Sequence, residues 1–514
     1  MREMSLSPPV QKHKALSSWQ QALIAVLFLC GIVLRLRQYL TDRSLWLDEA
    51  MLALNIVQRD FAGLTKPLDY DQGAPIGFLW LEKVFNLILG RSEFALRLFP
   101  LLAGLASLWL FYLLLKRITS GMGLLTVFAL FALNPQLIYY SSEVKQYILD
   151  VVVTLGLLFI AAPLWNEGPE RRNFIRLGLA GLLALWFSHP ALFMLAGIGL
   201  ALVILCVQQR DYSSLKLVIG IGLVWLANVS LLYFITLRGL SQNTFILDYW
   251  KDAFIPIPPW SDWGWFLAAF QNHVHFLLGL TSALWLVFLL ILAGWLALWF
   301  EQRMEATAFA FIFLIALIAS ALRLYPTMER LGLFLVPLEL ILIGKSVETL
   351  SRGLRARPTL ALFAALALSG YLLYGPVTTS LEYFLHPKYY EHIRPSMAYL
   401  ESAWKEGDEM YISYGAVPAF RYYAPAYGLE KIHYEAGQHG DYSNPPIILQ
   451  RLDSFKGQKR VWILMSHVYE KEDFNEKDFL LTYLDQMGEK KREFRQAGTS
   501  VYLYLYDLSK CCNR

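Results

Sequence analysis

Eleven apolar runs, each near the length of a bilayer-crossing helix, lie between residues 19 and 375 of this chain: 19–38, 94–115, 121–138, 147–164, 174–188, 190–207, 217–237, 281–300, 305–322, 330–347 and 358–375. Crossing hydrocarbon takes about 20 mostly apolar residues in a helix, because lipid offers the backbone no hydrogen bonds and a helix satisfies its own. The recurrence predicts an all-α polytopic membrane domain of about 11 transmembrane helices. Composition agrees. Hydrophobic residues make up 56% and charged residues 17% of the 514, whereas soluble domains run near about 45–50% and about 25%. Mean hydropathy is +0.42. These values exclude a disordered chain and a soluble multidomain enzyme. A net charge of +4 spread over the whole length excludes a nucleic-acid binder. The 16 Trp, 28 Tyr and 32 Phe suit aromatic belts at the two membrane surfaces.

The four cysteines, Cys30, Cys206, Cys511 and Cys512, form no CxxC or zinc spacing, so neither a disulfide framework nor a structural zinc is expected. The first apolar run follows Arg2, Lys12 and Lys14 and ends in Arg35, Arg37 and Arg43 without a small-residue cleavage site. It reads as an uncleaved anchor.

Basic residues set the topology. With residues 1–18 as a cytoplasmic tail, the inside loops carry Lys116, Arg117, Arg171, Arg172, Arg176, Arg210, Lys216, Arg303, Lys345, Arg352, Arg355 and Arg357, and the short outside turns only Lys145, Arg323 and Arg330. Two weaker runs, 75–89 with Glu82 and Lys83, and 262–280 with Gln271, Asn272, His273 and His275, would invert every later loop if they spanned. Both are therefore expected to lie in the outer interface. The predicted organisation is a transmembrane domain over 19–375 with long outer loops at 39–93 and 238–280, then an extracytoplasmic region over 376–514. That last region is more polar. Strand-like runs at Glu409–Tyr414, Val461–Met465 and Val501–Tyr506 alternate with helical stretches at 391–405, 417–424 and 474–488, which predicts a small α/β domain. Long loops fall on the outer face alone, so chemistry is expected there.

Five outer segments carry candidate chemistry. Asp48 and Glu49 follow the first helix. Successive helical residues diverge by about 100°, so the two carboxylates cannot both face one substrate. One suits a base and the other an orienting partner, or both simply favour a helix start. Asp69 and Asp71 precede Gln72-Gly73-Ala74-Pro75, which also reads as a turn with a helix-initiating proline. Arg97 stands one turn inside an apolar run, where a cation needs an anion or must snorkel. Glu143, Lys145 and Tyr147 sit on the turn after Asn134-Pro135, where an aromatic belt with an exposed ion pair is the plainer alternative. Arg323 and Arg330 flank a turn with Glu329, and such cations usually meet a phosphate or a carboxylate. Glu339 lies deeper and suits a cation across the bundle. His273 and His275, two apart, face nearly opposite ways on a helix. They read as histidines at a wet interface rather than as ligands of one metal.

The ordered set has a precedent. Asp48-Glu49 just after the first helix is followed by a loop with Pro75 before a short apolar helix. Then come Ser-Glu-Phe-Ala-Leu-Arg-Leu-Phe-Pro at 92–100, Asn-Pro-x-x-x-x-Tyr-Ser-x-Glu-x-Lys at 134–145 and Arg-Leu-Gly-Leu-Phe-Leu-Val-Pro at 330–337. Over roughly 15–375 the chain resembles the polytopic GT-C glycosyltransferases, in particular the protein O-mannosyltransferase and aminoarabinose-transferase-like group (glycosyltransferase family 39-like). The resemblance implies hexosyl or pentosyl transfer from a polyprenyl-phosphate donor in a multi-pass protein of a bacterial inner membrane. The acceptor is a protein, lipid or glycan. It implies Asp48 as catalytic base beside Glu49, and Arg97, Lys145 and Arg330 as donor-phosphate contacts. Glu143, Asp71, Tyr147 and Arg323 serve as polar support. One departure matters: relatives often carry Lys or His beside a Pro-Pro pair where this chain has Gln72-Gly73-Ala74-Pro75.

The chemistry follows independently. An acceptor hydroxyl must lose its proton as the new bond forms, which calls for a carboxylate. A phosphate monoester leaves as a stabilised anion, which calls for cations and no general acid. Inversion at the anomeric carbon is expected. No cofactor is required and a divalent metal is compatible. Two other classes remain open, a lipid-linked sugar flippase or transporter and a non-catalytic envelope-assembly protein. Transporters place ionisable groups at the midplane of internal repeats, whereas here they gather at one mouth.

Overall fold

In the computed structural model, residues 16–166, 168, 170–353, 357–438, 440, 445–471 and 474–509 are described. Arg2, Lys12, Lys14, Arg355 and the Cys511-Cys512 pair lie outside them.

All eleven apolar runs fall on helices. Among the described residues, eight helices are long and apolar enough to cross a membrane: Ser18–Tyr39, Glu93–Ile118, Tyr147–Trp165, Ala191–Gln208, Tyr212–Ser241, Leu284–Glu301, Arg303–Ala321 and Pro358–Leu385. The other three differ for local reasons. The helix expected over 121–138 stops at Ala132. Pro135 has no N–H to donate and disfavours helix in the residue before it. A second short helix, Pro135–Tyr140, restarts with Asn134 as its cap, the side chain accepting the Leu137 N–H at 2.8 Å. The run at 174–188 forms the 17-residue helix Arg171–Phe187. The run at 330–347 opens as a 3-10 segment, Glu329–Leu335, and becomes α-helical over Val336–Gly353, with Glu339, Lys345, Glu348 and Arg352 on it. The two weaker runs form Ile76–Leu89, and Trp263–Gln271 continued by a π-turn at Asn272–Leu277.

The chain divides into two compact units. The first comprises the residues up to Leu40, Phe61–Gly90 and Arg97–Pro387. Its helices cross closely where glycine removes the side chain. A Cβ on Gly294 would stand 1.8 Å from the Leu342 carbonyl oxygen, and one on Gly123 would stand 2.3 Å from that of Gly344. Val336–Gly353 thereby packs backbone-close on two neighbours. Lys345, fully buried, holds one end of this packing. It donates to the Ile118 carbonyl at 3.0 Å and pairs with Glu301 at 2.6 Å and Glu348 at 3.2 Å. Arg352 pairs with both acids as well. Arg35, equally buried, donates to the Ala132 carbonyl at 3.1 Å, the electronegative end of a neighbouring helix.

The second unit comprises Thr41–Asp60, Arg91–Leu96 and the chain from Lys388 onward. Its centre is a five-stranded sheet of β1 (Glu409–Ile412), β2 (Glu435–Ala436), β3 (Val461–Met465), β4 (Glu489–Phe494) and β5 (Tyr502–Asp507), in the order β2-β1-β3-β5-β4. The β1 strand runs parallel to β2 and β3, and β5 antiparallel to β3 and β4. Fully buried β3, Val-Trp-Ile-Leu-Met, reads as a continuous apolar run, as a central strand should. The helices Pro445–Asp453 and Glu476–Met487 close one face through Ile448, Leu452, Leu480 and Leu484. Three expected strands and the helices Arg394–Ala403, Val417–Tyr423 and Glu476–Met487 are present within a few residues of their predicted positions. Strand β4, Glu-Lys-Lys-Arg-Glu-Phe, was not expected. Its charge marks a protected sheet edge rather than a buried strand.

Candidate active site

The sequence-predicted residues fall into two groups, one in each unit. In the second unit, Leu47–Gln58 begins as a helix with Asp48 and Glu49 in its first turn. Their difference in direction becomes a difference in exposure. Glu49 is fully buried and reaches back toward the Trp46 N–H at 3.5 Å, the position of a capping carboxylate. Asp48 is partly exposed.

The start of this helix is held by residues of the α/β domain that no spacing in the sequence connects to it. Glu391, 3% exposed, accepts the Leu47 N–H through Oε2 at 3.0 Å and contacts His467 Nδ1 through Oε1 at 2.7 Å. His467 sits beside the Trp46 ring, centroids 6.3 Å apart. Burial alone would lower the His467 pKa. The hydrogen bond and charge of Glu391, with the charges of Asp48 and Glu476, outweigh it and hold His467 above the ordinary histidine value. Asp48 is thus within electrostatic reach of a histidine biased toward its cationic form. His467 also adopts a left-handed backbone, φ 50°, uncommon for a residue with a Cβ.

A second layer fixes the preceding loop. Tyr423 donates to Glu93 Oε1 at 2.6 Å and accepts the Leu45 N–H at 2.8 Å. Burial, then Glu93, pushes its phenol well above the ordinary range, so it stays a donor. Arg394 pairs with Asp42 at 3.0 Å and Glu93 at 3.3 Å, and Ser44 meets His392 Nδ1 at 2.9 Å.

In the first unit the cations gather around the turn after Pro135. Lys145 Nζ donates to Gln72 Oε1 at 2.6 Å, and Gln72 Nε2 to the Tyr70 carbonyl at 3.2 Å. Tyr70 and Asp71 both have left-handed φ, 62° and 53°. Asp71 accepts from Asn243 Nδ2 at 2.7 Å, which ties the 39–93 loop to the 238–280 loop. Arg330 Nε donates to the Tyr147 hydroxyl at 3.0 Å, and its guanidinium lies 5.4 Å from the Trp250 ring centroid. Glu143, buried, belongs to the same turn, and its carbonyl accepts the Lys145 N–H at 2.7 Å. Asp71, Gln72, Glu143, Lys145, Tyr147 and Arg330 therefore share one network or its adjoining turn. Arg97 is buried, within electrostatic reach of Tyr39. Arg323 is exposed and makes no side-chain hydrogen bond or ion pair among the described residues. His273, expected at a wet interface, is instead mostly buried and bound to Glu339, while His275 is exposed.

Sequence reasoning missed Glu391, His467, Glu93, Tyr423 and Gln72 as part of these groups. Five of the residues that carry or adjoin candidate positions, Asp42, Tyr70, Asp71, Glu329 and His467, have positive φ. Such strain often accompanies function, but no composition rule announces it outside glycine. Also in the first unit, a small recess of about 40 Å³ is lined mainly by Pro75, Ile76, Leu185, Leu192, Leu232 and Leu237, with Ser188, His189 and Thr236 as its polar members. Among the described residues no group of three or more His, Cys, Asp or Glu side chains is placed to hold a metal ion.

No family model matches the chain, and no curated protein matches it in sequence. Its fold, however, has solved counterparts. ArnT from Cupriavidus metallidurans in the apo state aligns with a TM-score of 0.52 at 15% identity, over 95% of this chain and 97% of that one. The same protein bound to undecaprenyl phosphate aligns with 0.51 at 15% identity, over 96% and 98%. The Archaeoglobus fulgidus oligosaccharyltransferase, in complex with Zn and sulfate, aligns with 0.55 at 13% identity, over 95% of this chain and 73% of that one. The chain has the GT-C fold: a polytopic helical membrane domain with a small α/β domain near the C-terminus.

Proposed function

We propose that the chain is a multi-pass membrane glycosyltransferase that moves a sugar from a polyprenyl-phosphate donor to an acceptor hydroxyl. The observation that carries the reading is the helix start at Leu47. There Asp48 stays partly exposed while Glu49 is buried, on a fold shared with a protein solved with undecaprenyl phosphate.

In the proposed reaction the acceptor oxygen attacks the anomeric carbon from the face opposite the phosphate, and the configuration inverts. Asp48 takes the hydroxyl proton as the C–O bond forms. The bond from the anomeric carbon to the phosphate oxygen breaks, its electron pair stays on that oxygen, and polyprenyl phosphate leaves. Lys145 and Arg330, with Arg97, stabilise the anion. Glu391 and His467 act on Asp48 by fixing its helix start and its electrostatic surroundings. Glu49 orients from the buried side. The apolar recess at Pro75 suits part of an isoprenoid chain, since its walls offer dispersion contacts and few polar groups. The proposed topology is N-terminus cytoplasmic and C-terminal domain extracytoplasmic, with residues 376–514 as the extracytoplasmic region, in a bacterial inner membrane. A divalent metal is compatible with this reading and no step uses one.

The test is a panel of radiolabelled undecaprenyl-phosphate sugars, hexosyl and pentosyl, supplied to membranes containing the protein. Label passing to an acceptor supports the reading and identifies the sugar class. Label that crosses the bilayer still attached to undecaprenyl phosphate would favour a flippase.

A further inference from the structure

The turn that carries Arg330 is held by the two residues that open the π-turn Asn272–Leu277. Asn272 Oδ1 accepts the backbone N–H of Glu329 at 2.7 Å. His273 Nε2 lies 2.9 Å from the Thr327 carbonyl oxygen, and its Nδ1 lies 2.9 Å from Glu339 Oε1. Between these contacts Glu329 takes a left-handed φ of 51°, a conformation that needs support in a residue with a Cβ. The turn also closes tightly on the ring. A Cβ on Gly332 would stand 2.6 Å from the Thr327 oxygen and 3.2 Å from His273 Cε1.

Proton counting at the ring is restrictive. A backbone carbonyl and a carboxylate are both acceptors, and a neutral imidazole has one N–H. Two hydrogen bonds from His273 require both nitrogens protonated. Both partners are acceptors, so the two contacts together call for a proton on each ring nitrogen, Nδ1 facing Glu339 and Nε2 facing the Thr327 carbonyl. The side chains are 13% and 8% exposed. Burial works against the cation, while the charge of Glu339, its hydrogen bond and the Thr327 carbonyl more than compensate. Glu329 and His275 are exposed, and Arg330 is on Tyr147 and Trp250.

We infer that His273, doubly protonated against Glu339, is a positioning residue that locks the Thr327–Arg330 turn and so sets Arg330 for the donor phosphate. This rests on the donor reading above. Remove one ring proton and either the Glu339 contact or the Thr327 contact loses its donor. The turn then keeps the Asn272 contact, the hydrogen bond from the Tyr325 hydroxyl to the Leu331 carbonyl at 3.2 Å and the contacts of Arg330 itself.

Two measurements on the full chain in lipid test it. The first is ¹⁵N magnetic resonance of histidine-labelled protein, with His273 assigned by its absence in His273→Gln. Both ring nitrogens should be protonated at pH 7, and one should lose its proton in Glu339→Gln. A singly protonated His273 in the wild type overturns the inference. The second is binding of undecaprenyl phosphate to wild type, His273→Gln, Arg330→Ala and the double variant. His273→Gln should weaken binding about tenfold, the scale of a hydrogen bond to a charged group, and should cost nothing further once Arg330 is gone. Arg330→Ala weakening binding while His273→Gln does not, with both folded, overturns the inference and leaves the donor reading standing. A wild type that binds no undecaprenyl phosphate overturns both.

Discussion

Glu391 and His467 meet at 2.7 Å, and the second carboxylate oxygen of Glu391 takes the backbone N–H of Leu47. One buried carboxylate thus links a histidine near the C-terminus to the residue immediately before Asp48. The first turn of the Leu47 helix is held by the α/β domain as well as by its own capping residue, Glu49. In Glu391→Gln the amide oxygen can still accept from Leu47, while the charge opposite His467 is lost. Transfer should fall about tenfold to a hundredfold, the scale of a displaced reacting group, at a temperature where the melting curve shows the variant folded. Unchanged transfer would show that Glu391 does not orient Asp48.

The His467–Glu391 contact also has a pH signature. Folding raises the His467 pKa above the ordinary histidine value of about 6.5, because Glu391, Asp48 and Glu476 outweigh burial. A raised histidine contributes stability that is complete below the unfolded value and disappears as pH rises through the folded one. Wild-type melting temperature should therefore drop as pH climbs above 6.5, and His467→Gln should flatten that part of the curve. Melting scans of both proteins from pH 6 to pH 9 give the comparison. Parallel curves would contradict it.

Gln72 accepts from Lys145 at 2.6 Å. A lysine at 72 would set two ammonium groups against each other. Glutamine instead fixes the one ammonium present. Gln72→Ala should raise the donor KM about tenfold, as expected for losing a hydrogen bond to a charged group, with kcat changed less. Lys145→Met should lose more. Equal donor KM in Gln72→Ala and wild type would separate Gln72 from the phosphate site.

How much of this was legible in the residues varies with the range of the interaction. The apolar runs all became helices because hydrophobicity and backbone satisfaction act locally. Local chemistry also explains where the reading slipped. Pro135 ended a helix at Ala132, a break the proline signals but the apolar run 121–138 conceals. The Asp48-Glu49 and Glu143-x-Lys145 pairs were visible as motifs. Glu391–His467, Glu93–Tyr423 and Gln72–Lys145 were not, since each joins residues 73 or more apart in sequence. Such pairings are products of tertiary packing, with no periodicity to reveal them. His273 was misjudged for the same reason: its partner Glu339 lies on another helix.

Away from the candidate site, Lys345 is buried between Glu301 and Glu348. Removing one member of a buried ionic group leaves an uncompensated charge, at a cost of ~3–5 kcal/mol. Lys345→Met should lower the melting temperature in detergent clearly, and Lys345→Met with Glu348→Gln should recover part of the loss. A double variant no more stable than the single one would show that the stranded carboxylate is not the cause.

The central claim is that Asp48 is the base of a sugar transfer. It is tested most directly by comparing wild type and Asp48→Asn in one assay of label moving from an undecaprenyl-phosphate sugar to acceptor. Matched undecaprenyl-phosphate binding and matched melting curves control for folding. The asparagine side chain is nearly isosteric but cannot take the acceptor proton. The account predicts loss of kcat by about a hundredfold or more, the range of general-base catalysis, with donor binding retained. Transfer at the wild-type rate by a folded, donor-binding Asp48→Asn protein would contradict it.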